Sequence, residues 1–173
     1  WAVLHGVTLP RRPARFVMMV RDPVAVAASM AAFEPVGPGP AWPLVHPHSN
    51  AMTDWFDADV TPALGWSPWN DRFDTDRKAM LVHHAPWRIL VMRADLDDAA
   101  KERELSAFVE VPVRMVRTNS AEQRGAGRSH AKVIELIRSL PDDVDRIHRT
   151  RLCSHFFTPT ELASHRSRWL GQA

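Results

Sequence analysis

The sequence predicts an α/β protein of three layers, in which helices cover both sides of a mainly parallel sheet and the C-terminal part is helical. Two segments rich in apolar residues, 16–20 and 87–92, are each followed by an arginine and precede a helix start. Such a run, closed by a charge, is typical of a strand buried on both faces of a parallel sheet. From residue 131 onward, apolar side chains recur at helical spacing. The chain is therefore expected to alternate strands and helices before it ends in helices alone.

The first two helices are predicted directly after the two strands. Asp22 can cap a helix over residues 24–33, Pro23 suits its first position, and the alanine-rich stretch that follows contains no breaker. A second helix is predicted over residues 97–109, where apolar side chains face inward before Pro112 closes it. The remaining elements are, in order, a short strand over residues 111–117, helices over residues 131–140 and 142–153, and a final helix that begins at the capping box of residues 158–161.

One domain is expected over residues 1–173, with an insert at about 35–75 that is rich in proline and tryptophan. Five prolines between residues 35 and 47 argue against regular structure there. A long loop of this kind in a compact domain is often a lid or a binding loop. Its aromatic rings can stack on sugar faces, although such rings more often cover the edge of a core. The insert is therefore the candidate acceptor lid.

Composition narrows the classes of function. A net charge of +2, with no basic run that contains interleaved aromatic residues, argues against nucleic acid as a partner. No apolar run approaches the roughly 18 residues that cross a bilayer, so no membrane span is expected and the protein is placed in the cytoplasm. The single cysteine, Cys153, excludes an internal disulfide, and its helical context favours a small buried hydrophobe. The histidines lack the spacing of a metal site, so no metal is expected.

The best candidate site lies at the junction Arg21-Asp22-Pro23, where the first strand ends. Ligands of open α/β sheets bind at the carboxyl ends of the strands. An arginine beside a helix N-terminus offers planar donors and free N–H groups to a phosphate. Ser29 lies about 9 Å along the helix at 1.5 Å per residue, so a folded-back Arg21 could share one anion with it. The alternative is that the junction is only a helix cap with a local ion pair.

The segment around this junction, VMMVRDPVAVAASM, resembles the 3'-phosphate-binding element of sulfotransferases that use 3'-phosphoadenosine 5'-phosphosulfate (PAPS). In that element an arginine ends a strand and a serine follows eight residues later, as here. Four further segments are together similar to the bacterial capsular polysaccharide synthesis family, a sulfotransferase-like group. They are WFDADVTPALGWSPWNDRFD, WRILVMRADLDD, TNSAEQRG and RTRLCSHFFTPTELASHRSRWL. The resemblance spans residues 1–170 and implies a P-loop-like sulfotransferase fold.

The resemblance implies that the protein transfers a sulfuryl group from PAPS to a hydroxyl of a saccharide or small metabolite. Arg21 and Ser29 would hold the 3'-phosphate of this nucleotide co-substrate. Arg124, in the glycine-containing loop QRGAGR, would close over the same phosphate, unless that loop is only a solvated turn. His5 would be the base that takes the acceptor proton. It lies sixteen residues before Arg21, at the end of an expected strand on the same sheet edge.

The chain departs from the family pattern in two respects. Asn119 and Trp169 match its C-terminal pattern, but Arg124 stands for lysine, Phe157 for tyrosine and Thr150 for serine, and the chain has no tyrosine. Phe157 is therefore interpreted as a core residue.

The family's first nucleotide loop has no counterpart, since the only glycine before position 37 is Gly6 and no lysine precedes Lys78. The chain is expected to be N-terminally incomplete. The alternatives are a catalytically incompetent nucleotide-binding or structural remnant that needs a missing segment or partner, and a nucleotide-dependent phosphotransferase.

Overall fold

We describe residues 14–33, 71–84, 87–116 and 130–171 of a computed structural model of the chain. Within them, β1 (Ala14–Val20), β2 (Ala79–His84) and β3 (Trp87–Arg93) form one sheet in the order β1-β3-β2. β1 is parallel to β3, whereas β2 is antiparallel to it. The α/β class is confirmed, but the described sheet is mixed rather than mainly parallel. The reason is β2, which the sequence analysis did not predict; only two residues separate it from β3, and such a link joins antiparallel strands.

The helices of the described residues follow the predicted order, with one exception. They are α1 (Pro23–Phe33), α2 (Asp98–Val109), α3 (His130–Arg138), α4 (Pro141–His148), α5 (Arg151–Phe156) and α6 (Pro159–Leu170). The single helix predicted over residues 142–153 is wrong, because two helices meet there at a break. Thr150 has extended backbone angles and its hydroxyl accepts a hydrogen bond from the Cys153 amide, so it starts a new helix. The capping box of Thr158 and Glu161 at the start of α6 is confirmed.

The strand predicted over residues 111–117 is also absent from the described residues 111–116. The segment is not hydrogen-bonded as a strand, because α2 supplies acceptors for its amides. The Val113 amide donates to the Ser106 hydroxyl at 2.8 Å, and the Met115 amide donates to the Glu102 carboxylate at 2.8 Å. β-branched and apolar residues thus gave a strand-like pattern to a segment that is tied to a helix.

The sheet separates two apolar clusters. On one face, Val20 of β1 and Val91 of β3 pack with Leu152 and Phe156 of α5. On the other face, Leu90 and Met92 of β3 pack with Phe108 of α2. Helices therefore lie on both sides of the described sheet, but α2 covers β3 and β2 rather than β1. Val17 and Met19, on the α2 side of β1, stay 44% and 37% exposed, so this strand is not buried on both faces as predicted.

A third apolar cluster joins α1 to the C-terminal helices. Val24 and Ala27 of α1 pack with Ile137 of α3, Ile147 of α4 and Trp169 of α6. The alanine side chains of α1 are small, so the helices that pack on it can approach closely. As a result, the N-terminus of α1 and the C-terminal helical part meet where β1 ends.

Most of the insert predicted at about 35–75, together with residues 1–13, lies outside the described residues. Among the helices of the described part, none has the length and apolar character needed to cross a bilayer. Cys153 is fully buried beside the sheet, as the sequence predicted for a small hydrophobe.

Candidate functional site

The ends of β1 and β3 form the edge of the sheet at which the predicted site lies. The two strands run in the same direction, and Val20, the last residue of β1, pairs with Arg93, the last residue of β3. Just beyond the pair, the Ala94 amide donates to the Val20 carbonyl at 2.7 Å. This bond fixes the point at which the chain leaves the sheet toward Arg21 and α1. The carboxyl ends of the two strands thus share one edge, as parallel pairing requires.

Arg21 and Ser29, the residues predicted to hold a phosphate, lie at this edge and on the adjoining helix. Arg21 directly follows β1 and is exposed, and within the described ranges no acidic side chain forms an ion pair with it. Ser29 is half-buried in the second turn of α1. His5 and Arg124, the other two predicted site residues, lie outside the described residues.

Asp22, the neighbour of Arg21, points into the protein instead of pairing with it. Its carboxylate is buried, and Oδ1 accepts a hydrogen bond from the Val24 amide at 3.0 Å, which caps α1 as predicted. The same oxygen lies 3.2 Å from Nε2 of His148, at the end of α4. Oδ2 accepts a hydrogen bond at 2.8 Å from the indole N–H of Trp169, in α6. The cap predicted from the sequence is therefore present, but the local ion pair with Arg21 is not.

A second histidine, His165 of α6, completes this buried cluster. Its Nδ1 lies 3.7 Å from Oδ2 of Asp22, beyond hydrogen-bonding distance. Its ring meets the Phe157 ring edge-on, with the ring centres 5.2 Å apart. Three elements of the chain, the start of α1, the end of α4 and the end of α6, thus converge on one carboxylate.

The electrostatics of the cluster favour an ionised Asp22. Burial by itself would raise the pKa of the Asp22 carboxyl, but hydrogen bonds from His148 and Trp169 and the nearby imidazoles outweigh it and hold that pKa below its ordinary value. Burial lowers the pKa of His165 despite the attraction of Asp22, and the charge of Arg168 lowers it further. Neutral His165 next to ionised Asp22 is therefore the expected state near pH 7.

Arg93, the other arginine at this edge, is a brace rather than a ligand-binding group. Its side chain is fully buried, and its guanidinium donates to Asp95 at 2.9 Å and 2.5 Å and to Glu161 at 2.8 Å. It also donates to the Phe156 carbonyl at 3.2 Å and lies 4.4 Å from the centre of the Phe157 ring. Four of its five N–H groups thus donate to protein groups, so β3 is tied to the start of α6. Arg21 is then the arginine of this edge that is open to a ligand.

A shallow groove of about 270 Å³ lies between α4 and α6, and His148 forms part of its lining. Asp145 and Arg166 face each other across it in an ion pair of 2.7 Å. Arg149 also lines the groove, and its Nε donates to the Asp145 carbonyl at 3.0 Å. The described residues contain no group of three or more side chains suited to a metal ion.

Comparisons with protein-family models, with curated proteins and with solved structures found no match. The site therefore rests on its own geometry. As the sequence predicted, Arg21 follows β1, Asp22 caps α1 and Ser29 lies on α1, but the partners of Asp22 were not predicted. His148 and Trp169 follow Asp22 by 126 and 147 residues, and no local pattern marks them as its ligands. A weak signal was present for His148, which is the polar residue on a helical face that otherwise buries Val144 and Ile147.

Proposed function

We propose that this protein binds the 3'-phosphate of PAPS at the end of β1 and transfers the sulfuryl group to a hydroxyl of a saccharide or small metabolite. The same proposal assigns the chain to the P-loop-like sulfotransferase type of α/β fold. The observation that carries it is the exposed guanidinium of Arg21 at the carboxyl edge of a parallel strand pair, with Asp22 turned away from it. An arginine left unneutralised at such an edge is suited to a dianion.

The chemistry requires a held leaving group and a base. In sulfuryl transfer, the acceptor oxygen forms a bond to sulfur while the bond from sulfur to the bridging phosphate oxygen breaks. The bisphosphate 3'-phosphoadenosine 5'-phosphate (PAP) leaves, and the acceptor proton passes to the base. Arg21 and Ser29 would hold the 3'-phosphate and so fix the nucleotide for in-line attack. We assign the base to His5 and a supporting phosphate contact to Arg124 from the resemblance to the family.

Calorimetry with PAP tests the nucleotide site. The wild-type protein is expected to bind PAP more tightly than AMP, which lacks the 3'-phosphate. Arg21→Ala is expected to weaken PAP binding by about tenfold or more, since a hydrogen-bonded charge pair contributes about 1.5–3 kcal/mol. Arg138→Ala is the matched control, because Arg138 is an exposed arginine of α3. Equal affinities for AMP and PAP, or equal losses in the two variants, would contradict the site.

A transfer assay tests the reaction itself. Sulfated product is expected when PAPS is supplied with a panel of saccharides and small hydroxyl compounds. PAP binding that depends on Arg21, combined with no transfer to any acceptor, would favour the alternative of a nucleotide-binding protein that lacks catalysis. The two experiments thus separate recognition of the nucleotide from chemistry on it.

A further inference from the structure

His148 of α4, the buried partner of Asp22, forms a hydrogen bond through one ring nitrogen and not through the other. Nε2 of His148 lies 3.2 Å from Oδ1 of Asp22, and both side chains are only 7% exposed. Nδ1 of His148 is buried as well, and no described group forms a hydrogen bond with it. An ionised carboxylate can only accept hydrogen bonds, so an unprotonated Nε2 would place two acceptors face to face at this distance. The geometry therefore favours the tautomer in which Nε2 carries the proton and donates to Asp22.

We propose that His148 is a positioning residue for the anion site at Arg21: by donating to Asp22, it keeps that carboxylate from neutralising the adjacent guanidinium. This inference rests on the proposed function, since it explains how the site stays open to a phosphate. Asp22 and Arg21 are neighbours in the chain, so a carboxylate that lost its inner donors would have a cation within reach. The hydrogen bonds from His148 and Trp169 direct it inward instead.

Asp22 and a phosphate would compete for the Arg21 guanidinium if the carboxylate had too few other hydrogen-bond donors. The described hydrogen bonds to the Asp22 carboxylate come from the Val24 amide, His148 and Trp169. Without His148, Oδ1 would keep only the amide, and an ionised carboxylate with too few donors is costly in a buried position. The Arg21 guanidinium can supply the missing donor, because guanidinium and carboxylate form strong paired hydrogen bonds. A phosphate would then have to break that pair before it could bind.

Arginine modification tests the proposal without any nucleotide. Phenylglyoxal reacts with unpaired guanidinium groups, and its reaction with Arg21 can be followed by peptide mass spectrometry. His148→Leu is expected to slow this reaction by about tenfold, which corresponds to about 1.4 kcal/mol of new pairing between Arg21 and Asp22. His148→Gln keeps an N–H donor of similar reach and is expected to retain the wild-type rate. Reaction of Arg138, measured in the same digest, controls for general changes.

The double variant Asp22→Asn/His148→Leu separates competition from simple structural damage. Asparagine carries no charge, so Arg21 should react at nearly the wild-type rate, although His148 is missing. If His148→Leu does not fold, Trp169→Phe is the second variant, because it deletes one indole N–H donor to Asp22 and keeps an aromatic ring. It should slow the reaction of Arg21 in the same direction by a smaller factor.

Binding of PAP to the same variants links the inference to function. We expect His148→Leu to weaken PAP binding by about tenfold and the double variant to restore most of it. Unchanged Arg21 reactivity in both His148→Leu and Trp169→Phe, or no rescue by the double variant, would overturn the proposal. Failure of the wild type to bind PAP would instead overturn the proposed function, while the modification rates would still decide the role of His148.

Discussion

Replacing Asp22 by alanine should cost a large part of the stability of this protein. The carboxylate accepts three hydrogen bonds: one from the Val24 amide caps α1, and those from His148 and Trp169 join α1 to α4 and α6. Loss of the bond to the Val24 amide removes a helix cap, which costs about 1 kcal/mol. Loss of the acceptor for His148 and Trp169 leaves two buried donors unsatisfied, at about 1–3 kcal/mol each. We therefore expect Asp22→Ala to lower the free energy of unfolding by about 3–7 kcal/mol, against the 5–15 kcal/mol typical of a whole domain.

Urea unfolding followed by circular dichroism and by tryptophan fluorescence measures this loss. The midpoint should fall at an unchanged slope, and the melting temperature should drop by on the order of 10 °C for a chain of this size. Asp142→Ala is the matched control, because Asp142 is an exposed aspartate in the first turn of α4. It should cost less than about 1 kcal/mol. A loss below about 1 kcal/mol for Asp22→Ala would show that the convergence of the helices on this carboxylate does not hold them together.

Three further effects are expected from the brace at the end of β3. Burial by itself would raise the pKa of Glu161, but hydrogen bonds from Arg93 and Thr158 lower it to about 2, from 4.5. Its contribution to stability is thus present above pH 4.5 and is lost as the pH falls toward 2, so urea midpoints should drop in this window and drop less in Glu161→Gln. Arg93→Met should lower the free energy of unfolding by about 2 kcal/mol in the same assay. Breaking a fully buried ion pair costs about 3–5 kcal/mol, but the acidic partners Asp95 and Glu161 stay 42% and 25% exposed. No change in stability would contradict a stabilising role for Arg93. Thr158→Ala should cost about 1 kcal/mol through loss of the capping box, whereas exposed Thr160→Ala should change little; equal effects would contradict the cap.

Local signals in the sequence predicted local structure well. The apolar run before Arg21 became β1, the cap and proline at 22–23 began α1, and the capping box at Thr158 began α6. The predictions that failed were those in which a distant or side-chain partner decides the outcome. Apolar residues after α2 gave a strand-like pattern, but acceptors on α2 hold that segment outside the sheet. The sheet is mixed because β2 pairs with β3 in the antiparallel direction. The residues of β2 do not by themselves indicate which strand it pairs with.

The candidate site likewise combines local features that the sequence predicts with tertiary contacts that it does not. By itself, the sequence determined that an arginine follows the end of a strand and that a capped helix begins beside it, because strand endings and helix caps depend on neighbours a few residues apart. Only the tertiary structure decided that Asp22 points inward and Arg21 outward. That choice depends on His148 and Trp169, which reach Asp22 through the packing of α4 and α6 on α1. Hydrogen bonds between residues more than a hundred positions apart cannot be read from local sequence spacing. Whether the Arg21 guanidinium stays unpaired at the sheet edge therefore depends on the fold.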